Sequence, residues 1–378
     1  MPPRLAILTG GGDCPGLNAV IRAAAKTAML EQQAEIIGFE DGFAGLVENR
    51  TRWLDYLSVS GILTQGGTIL GTNNRADPFR YPINGDDGAV RFEDLSDRAV
   101  ENFRASKADC LIAVGGDGTL TIAHKLMQKG IPCVGVPKTI DNDLYGTDQS
   151  FGFDSAVTTA TEAVDKLHTT AQAHHRVMIL EVMGRNAGWI ALHSGLAGGG
   201  DVILVPEIPY RIEIVANFLL TRRRAGKRFS IVVVAEGVRA ADGKQVVSRR
   251  VADAAEPVRL GGIAYRLQDE IEQATGMSTR AVILGHLQRG GTPTPFDRVL
   301  ASRFGHEAAL LALRGQYGFM VGLQGNSIVH IPLQDVAGRQ RLLSPDHELV
   351  SLARSLGTCF GDDCSRCTIA RVCRATGF

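Results

Sequence analysis

The sequence predicts an α/β protein built on two mainly parallel sheets. The first observation is a recurrent alternation. Seven short apolar runs, LAILT (5–9), LIAV (111–114), IPCVGV (131–136), VMILEV (177–182), VILVPE (202–207), SIVVVAEG (230–237) and AVILGH (281–286), are each followed by a helical pattern. Continuous apolar strands separated by helices are the mark of βαβ units, whose strands are buried on both faces. The second observation is length. A chain of 378 residues exceeds one domain at about 100–200 residues each, so two are expected. The third concerns function. Nearly every apolar run ends in a cluster of Gly and charged residues, and open α/β sheets bind ligands beyond the carboxyl ends of their strands.

The first unit runs from LAILT through GGGDCPG (10–16) into a helix, where Leu17, Val20, Ile21, Ala24 and Ala28 recur at helical spacing. Glycines there let backbone N–H groups approach a phosphate at a helix N-terminus. A tight turn with no ligand explains them equally well. LIAV leads into GGDGT (115–119). There Asp117 is placed to reach a phosphate-bound Mg²⁺, and Thr119 either caps the next helix or touches a phosphate. IPCVGV leads into PKTIDND (137–143). If the strand continues, Asp141 and Asp143 share a side and repel unless a cation or proton lies between them. A hydroxyl with Mg²⁺ nearby supplies both. One Asp then serves as general base and Lys138 as a point charge for phosphate. A surface turn is the plainer reading.

Later runs add HHR (174–176), MGR (183–185), GVR (237–239) and the spaced Arg280, His286 and Arg289. Guanidinium forks bind phosphate bidentately. RRR (222–224) ends a helix, where cations suit the dipole, and reads as surface. Lys+Arg and Asp+Glu are both 40, so no global field favours nucleic acid or membrane. MPPRLAILTG lacks a signal-peptide core, and no apolar run reaches about 18 residues, so a cytoplasmic protein is expected. No low-complexity linker separates two halves, which predicts a chain that crosses between domains more than once. Cys14, Cys110 and Cys133 read as core residues. Cys359, Cys364, Cys367 and Cys373 have the spacing C-x4-C-x2-C-x5-C. That pattern suggests Zn²⁺ or an Fe–S cluster, or else a redox-labile tail with no ligand.

Taken in order, GGGDCPGLNAVIR, GGDGT, PKTIDND, FGFDSA, EVMGRNAGW and LGHLQRGG resemble the signature segments of the ATP/pyrophosphate phosphofructokinases, in their A-type, mixed-substrate subgroup. The resemblance covers about Leu5 to Arg298. It implies two Rossmann-like three-layer domains with the active site in a cleft between them. It also implies transfer of a phosphoryl group to the 1-hydroxyl of fructose 6-phosphate in glycolysis, by a homotetramer or dimer. The larger, donor-binding domain is expected at 1–150 plus about 288–315. The smaller, fructose 6-phosphate domain is expected at about 151–287 plus about 316–350, with a Cys-rich tail at 351–378.

By motif, Asp141 becomes the general base with Thr139 and Asp143 beside it, and Asp117 the Mg²⁺ ligand. Gly11, Arg75, Gly116, Gly118, Thr119 and Lys138 face the donor. Met183, Gly184, Arg185, Glu236, His286 and Arg289 hold the sugar phosphate, with Arg185 also catalytic. Arg176 and Arg280 reach the same substrate from a neighbouring subunit. Pyrophosphate users carry Asp where Gly118 stands, which favours ATP here. They also carry Lys at 138, which leaves pyrophosphate as the alternative. A non-catalytic sugar-phosphate-binding subunit is the alternative of another class. Arg22 and Lys26 match two effector-binding positions of regulated relatives, but His168 and Ala225 replace basic ones, so altered regulation is expected.

Overall fold

The computed structural model describes residues 2–85, 90–243, 247–250 and 258–363. The chain divides into two units. One takes the chain up to Ser155 together with Arg289–Arg341, and the other takes Val258–Gln288 with the stretches beginning at Ala156 and Leu342. The chain therefore passes between these units more than once.

The first unit is organised on a seven-stranded sheet. Its order is Ser327–Pro332, Phe319–Gln324, Cys133–Pro137, Cys110–Gly115, Arg4–Thr9, Glu35–Phe39, Thr51–Trp53. The five inner strands are parallel and the two edge strands antiparallel. Cys110–Gly115 and Cys133–Pro137 are buried at every position, whereas all of Thr51–Trp53 is exposed. The apolar runs therefore take the centre and the polar ones the rim, as burial on both faces demands. Helices Leu17–Gln32 and Pro295–Leu313 pack closely on each other. A Cβ at Gly305 would stand 2.5 Å from the Val20 carbonyl oxygen, so this approach requires glycine.

Residues 316–341 correct the expected domain boundary. The sequence predicts them in the smaller domain, yet Phe319–Gln324 pairs in parallel with Cys133–Pro137, Phe319 opposite Val134 and Met320 opposite Gly135. Ser327–Pro332 then folds back on it as a hairpin. The physical reason is the open ladder of Cys133–Pro137, whose unpaired backbone groups take a further parallel strand.

The second unit carries a four-stranded parallel sheet ordered Thr279–Ile283, Val177–Val182, Ser230–Ala235, Val202–Leu204. Two carboxylates, one buried and one partly buried, cap helices whose own cap residue is glycine. Glu181 accepts from the Gly262 and Ala264 amides, each at 2.9 Å, at the start of Ile263–Thr275. Glu207 accepts from the Gly188 amide at 3.1 Å, ahead of Trp189–Ala197. Burial raises the pKa of both carboxyls.

Two further expectations are corrected here. Arg222 is not a surface residue: its side chain is 12% exposed and pairs with Asp201 at 2.6 Å, and its Nε donates to Ser230 Oγ at 3.1 Å. The helix turns this one arginine of the three toward the sheet. Burial raises Asp201 and lowers Arg222, so for each partner desolvation outweighs the attraction. Arg222→Ala would leave Asp201 buried without its cation, and a loss of about 3–5 kcal/mol is expected in denaturant unfolding. A loss under about 1 kcal/mol would show that water reaches Asp201.

Cys359 is likewise not on an open tail. It is 1% exposed, packs in the core of the second unit, and bridges Val202 through its backbone. Ile203 N–H donates to the Cys359 carbonyl at 2.9 Å, and its Sγ accepts from the Gly361 amide at 3.3 Å. The sulfur is therefore enclosed in the core of the second unit, at the start of the expected four-cysteine metal site. Cys364, Cys367 and Cys373 lie outside the described residues.

Candidate active site

In the first unit the glycine loop is fixed from three sides. The Gly10 amide donates to the Val114 carbonyl at 2.9 Å, which fastens the loop to the next strand. The Gly11 amide donates to the Asn73 carbonyl at 3.3 Å, and Thr72 Oγ1 donates to the Gly11 carbonyl at 2.6 Å. The Arg75 amide donates to Asn73 Oδ1 at 2.7 Å, so the exposed Arg75 stands on a turn held to the glycine loop. From the third side Lys138 Nζ donates to the Gly12 carbonyl, and Arg289 Nη1 donates to the Asp13 carbonyl at 2.9 Å. Arg289 was assigned to the sugar phosphate and lies on this glycine loop. Asn73 and Thr72 went unassigned, although the consecutive Asn residues of GTNNR are a turn signal.

GGDGT opens the helix Asp117–Gln128, with Gly116 at its N-cap in an extended conformation. Asp117 Oδ1 accepts from the Gly338 amide at 3.0 Å and from Thr121 Oγ1 at 3.4 Å. Thr119 is buried against Gly10 and Gly115, so it serves packing as well as the loop. Gly118 is exposed, and a Cβ there would meet nothing within 4 Å.

The strand ahead of TIDND stops at Pro137. Side-chain alternation therefore does not govern Asp141 and Asp143, contrary to the expectation that a continuing strand puts them on one side. Asn142 between them takes a left-handed φ of 51°, a conformation Asn tolerates better than most residues. Thr139 organises the loop: its Oγ1 accepts from the Asp141 amide at 3.1 Å and donates to Asp143 Oδ1 at 3.1 Å. Ser150 Oγ closes it by donating to the Thr139 carbonyl at 2.7 Å.

The electrostatics agree with a cation site. Burial raises Asp143, and the charge of Asp117 raises it further. Burial also raises Asp117. A divalent ion would relieve both the burial of these carboxylates and the repulsion that Asp143 meets from Asp117. No cluster of three or more acidic, His or Cys groups surrounds them among the described residues. Mg²⁺ is ordinarily held by one or two carboxylates plus phosphates and water. Lys138 is buried and burial lowers its pKa, so its charge is kept at a cost that an anion would offset.

In the second unit Met183, Gly184, Arg185 and Glu236 follow the carboxyl ends of neighbouring parallel strands. The Glu236 amide donates to the Val182 carbonyl at 2.9 Å and the Gly237 amide to the Gly184 carbonyl at 3.1 Å. A Cβ at Gly237 would fall 1.9 Å from the Arg185 carbonyl oxygen, so the two loops touch only because that residue is glycine. The exposed His286 lies in the short helix Gly285–Arg289. The fully buried Gln288 ties that helix to the rim, its Oε1 accepting from the Met183 amide at 3.2 Å. Sequence reasoning passed over Gln288 because a single Gln carries no pattern.

Arg176 and Arg280 do not join this rim. Arg176 precedes Val177–Val182, and Arg280, second in Thr279–Ile283, pairs with Met178. Both therefore sit at the amino end of the sheet. Arg280 is exposed and paired with Glu272 at 3.3 Å.

A family model described as Phosphofructokinase matches residues 4–312. The chain belongs to that family. It is 50% identical over 360 residues to ATP-dependent 6-phosphofructokinase 2 of Clostridium perfringens, covering 95% of this chain and 98% of that protein. It is 47% identical over 359 residues to the pyrophosphate–fructose 6-phosphate 1-phosphotransferase of Streptomyces coelicolor, covering 95% and 100%. Among solved structures, Pichia pastoris phosphofructokinase in the T-state matches with a TM-score of 0.76 at 29% identity. That match covers 89% of this chain but 37% of the Pichia chain. The pyrophosphate-dependent phosphofructokinase of Marinobacter aquaeolei shares the fold, with a TM-score of 0.77 at 23% identity over 96% of this chain and 90% of that one. Among the described residues no helix is long and apolar enough to cross a membrane.

Proposed function

We propose that this phosphofructokinase transfers the γ-phosphoryl group of MgATP to the 1-hydroxyl of D-fructose 6-phosphate, giving fructose 1,6-bisphosphate and ADP. The observation that carries the reading is one rim of the first unit, which bears the glycine loop, Asp117 and the 139–143 loop. Asp141 accepts the hydroxyl proton as the oxygen attacks phosphorus. Thr139 holds Asp141 and Asp143 in register through its single hydroxyl. Asp117 and Asp143 would hold Mg²⁺, and the ion would supply positive charge to offset that of the phosphates. The amides of Gly11 and of the Gly116–Thr119 turn face the donor with Arg75 and Lys138. Met183, Gly184, Arg185, Glu236, His286 and Arg289 take the sugar phosphate, and Arg185 steadies the transferring group.

ATP is the proposed donor because Gly118 leaves open space beside Asp117, and because relatives such as the Clostridium perfringens protein are named ATP-dependent. Lys138 and the Streptomyces coelicolor relative support a second reading, with pyrophosphate as donor in a reversible reaction. The proposal includes a cytoplasmic homotetramer or dimer. In it Arg176 and Arg280, at the far end of their own sheet, serve a neighbouring subunit. The deciding experiment is a coupled assay of fructose 1,6-bisphosphate formation with Mg²⁺ and either ATP or pyrophosphate. Product with ATP supports the proposal. Product with pyrophosphate alone establishes the second reading. Silence with both points to a non-catalytic sugar-phosphate-binding subunit.

A further inference from the structure

We infer that Arg341, which no motif singles out, is a positioning residue for the catalytic loop, acting through a backbone clamp on residues 141–148. The inference rests on the activity proposed above.

Residues 338–341 cross the outer side of the site as a strap. At one end the Gly338 amide holds Asp117 Oδ1 at 3.0 Å. In the middle Gln340 forms an antiparallel bridge with Leu144. At the other end the Arg341 amide donates to the Asp143 carbonyl at 2.7 Å, and its Nη1 donates to the Asp148 carbonyl at 2.8 Å. A longer contact from Nη1 reaches the Asn142 carbonyl at 3.5 Å. One segment thus touches the metal carboxylate and the base-bearing loop together.

The loop needs such a clamp. Asn142, adjacent to Asp141, is in the left-handed region, which costs about 1 kcal/mol or more for a non-glycine residue. Its side chain helps to hold that turn, accepting from the Ser150 amide at 3.0 Å and donating to the Asp148 carbonyl at 3.4 Å. Arg341 shares the Asp148 carbonyl and makes the shorter bond to it. Without the Arg341 guanidinium, the Asp148 carbonyl would keep only the longer bond from Asn142, while the main-chain bond from residue 341 to Asp143 would remain. The guanidinium is partly withdrawn from water, which lowers its pKa. Asp148 attracts the guanidinium, and its bonds to the Asp148 and Asn142 carbonyls fix its geometry.

The guanidinium borders a cavity of about 510 Å³ shared with Tyr145, Thr147, Gln324 and Arg339. The cavity supplies a test, since truncation at 341 opens a space that free guanidinium ion can enter. The experiment uses the full-length protein with MgATP and fructose 6-phosphate. Wild type, Arg341→Ala and Arg341→Lys are compared by kcat, both KM values and far-UV circular dichroism. Arg341→Ala is expected to lower kcat about 10–100-fold, as a small misplacement of reacting groups does. The KM for ATP should stay within about twofold. Guanidinium chloride at a sub-denaturing concentration should restore part of the rate, and Arg341→Lys, which keeps the charge but lacks the planar, pre-organised guanidinium fork, should fall between.

An Arg341→Ala kcat within twofold of wild type overturns the inference. So does a loss of rate that follows loss of folded protein and is not rescued by guanidinium. Wild-type turnover in the same assay separates this failure from failure of the proposed function.

Discussion

Gly118→Asp is expected to abolish ATP use without disturbing the fold. Position 118 is exposed, and a Cβ there meets no atom within 4 Å, so the substitution introduces no clash. It lies in the first turn of Asp117–Gln128, where a carboxylate favours the helix dipole. The new charge would stand where the α-phosphate of a nucleotide is proposed to lie. Two like charges about 4 Å apart at an effective dielectric of about 20 repel by about 4 kcal/mol, so kcat/KM for ATP should fall about 10²–10³-fold. Pyrophosphate has no α-phosphate beyond the transferred pair, and its use should be spared or gained. The check is kcat/KM for each donor alongside the melting temperature. A folded Gly118→Asp protein with wild-type ATP kinetics would move the donor away from Asp117.

Asp141→Asn carries the second large effect. Asn is nearly isosteric, and the link from residue 141 to Thr139 Oγ1 is made by its main-chain amide, so the loop is retained. What is lost is the proton acceptor. A drop of about 10²–10⁴ in kcat is expected, with the KM for fructose 6-phosphate changed by a few-fold at most. Steady-state kinetics from pH 6 to 9 is the check. An undiminished kcat would remove Asp141 from the chemistry and return PKTIDND to a surface turn.

The parts of the molecule legible in the sequence were those with a repeating physical signature. The seven apolar runs all became strands, because burial on both faces leaves an uninterrupted hydrophobic string. The clusters at their carboxyl ends marked Gly11, Asp117, Asp141 and Arg185 for the same reason, since a polar group directly after a buried strand needs an explanation. Features fixed by long-range pairing were not legible. That Phe319–Gln324 joins Cys133–Pro137 depends on which edge is open, and nothing local records it. Arg222 and Cys359 look polar and mobile among their sequence neighbours, but the helix face and the bridge to Val202 place them inside. The opposite placement of Arg176 and Arg280 was hidden because a residue beside a strand reads alike at either end. Arg341 was invisible for the simplest reason: its partners are carbonyl groups, which every residue has.

The central claim is that the γ-phosphoryl group of ATP reaches the 1-hydroxyl of fructose 6-phosphate with Asp141 as base. The most direct measurement is to supply γ-³²P-labelled MgATP and fructose 6-phosphate to wild type and Asp141→Asn and locate the label by time. The account predicts label at carbon 1 of fructose 1,6-bisphosphate in wild type, and formation about 10²–10⁴-fold slower in the variant. Equal rates in the two proteins, or no labelled bisphosphate from wild type, would contradict it.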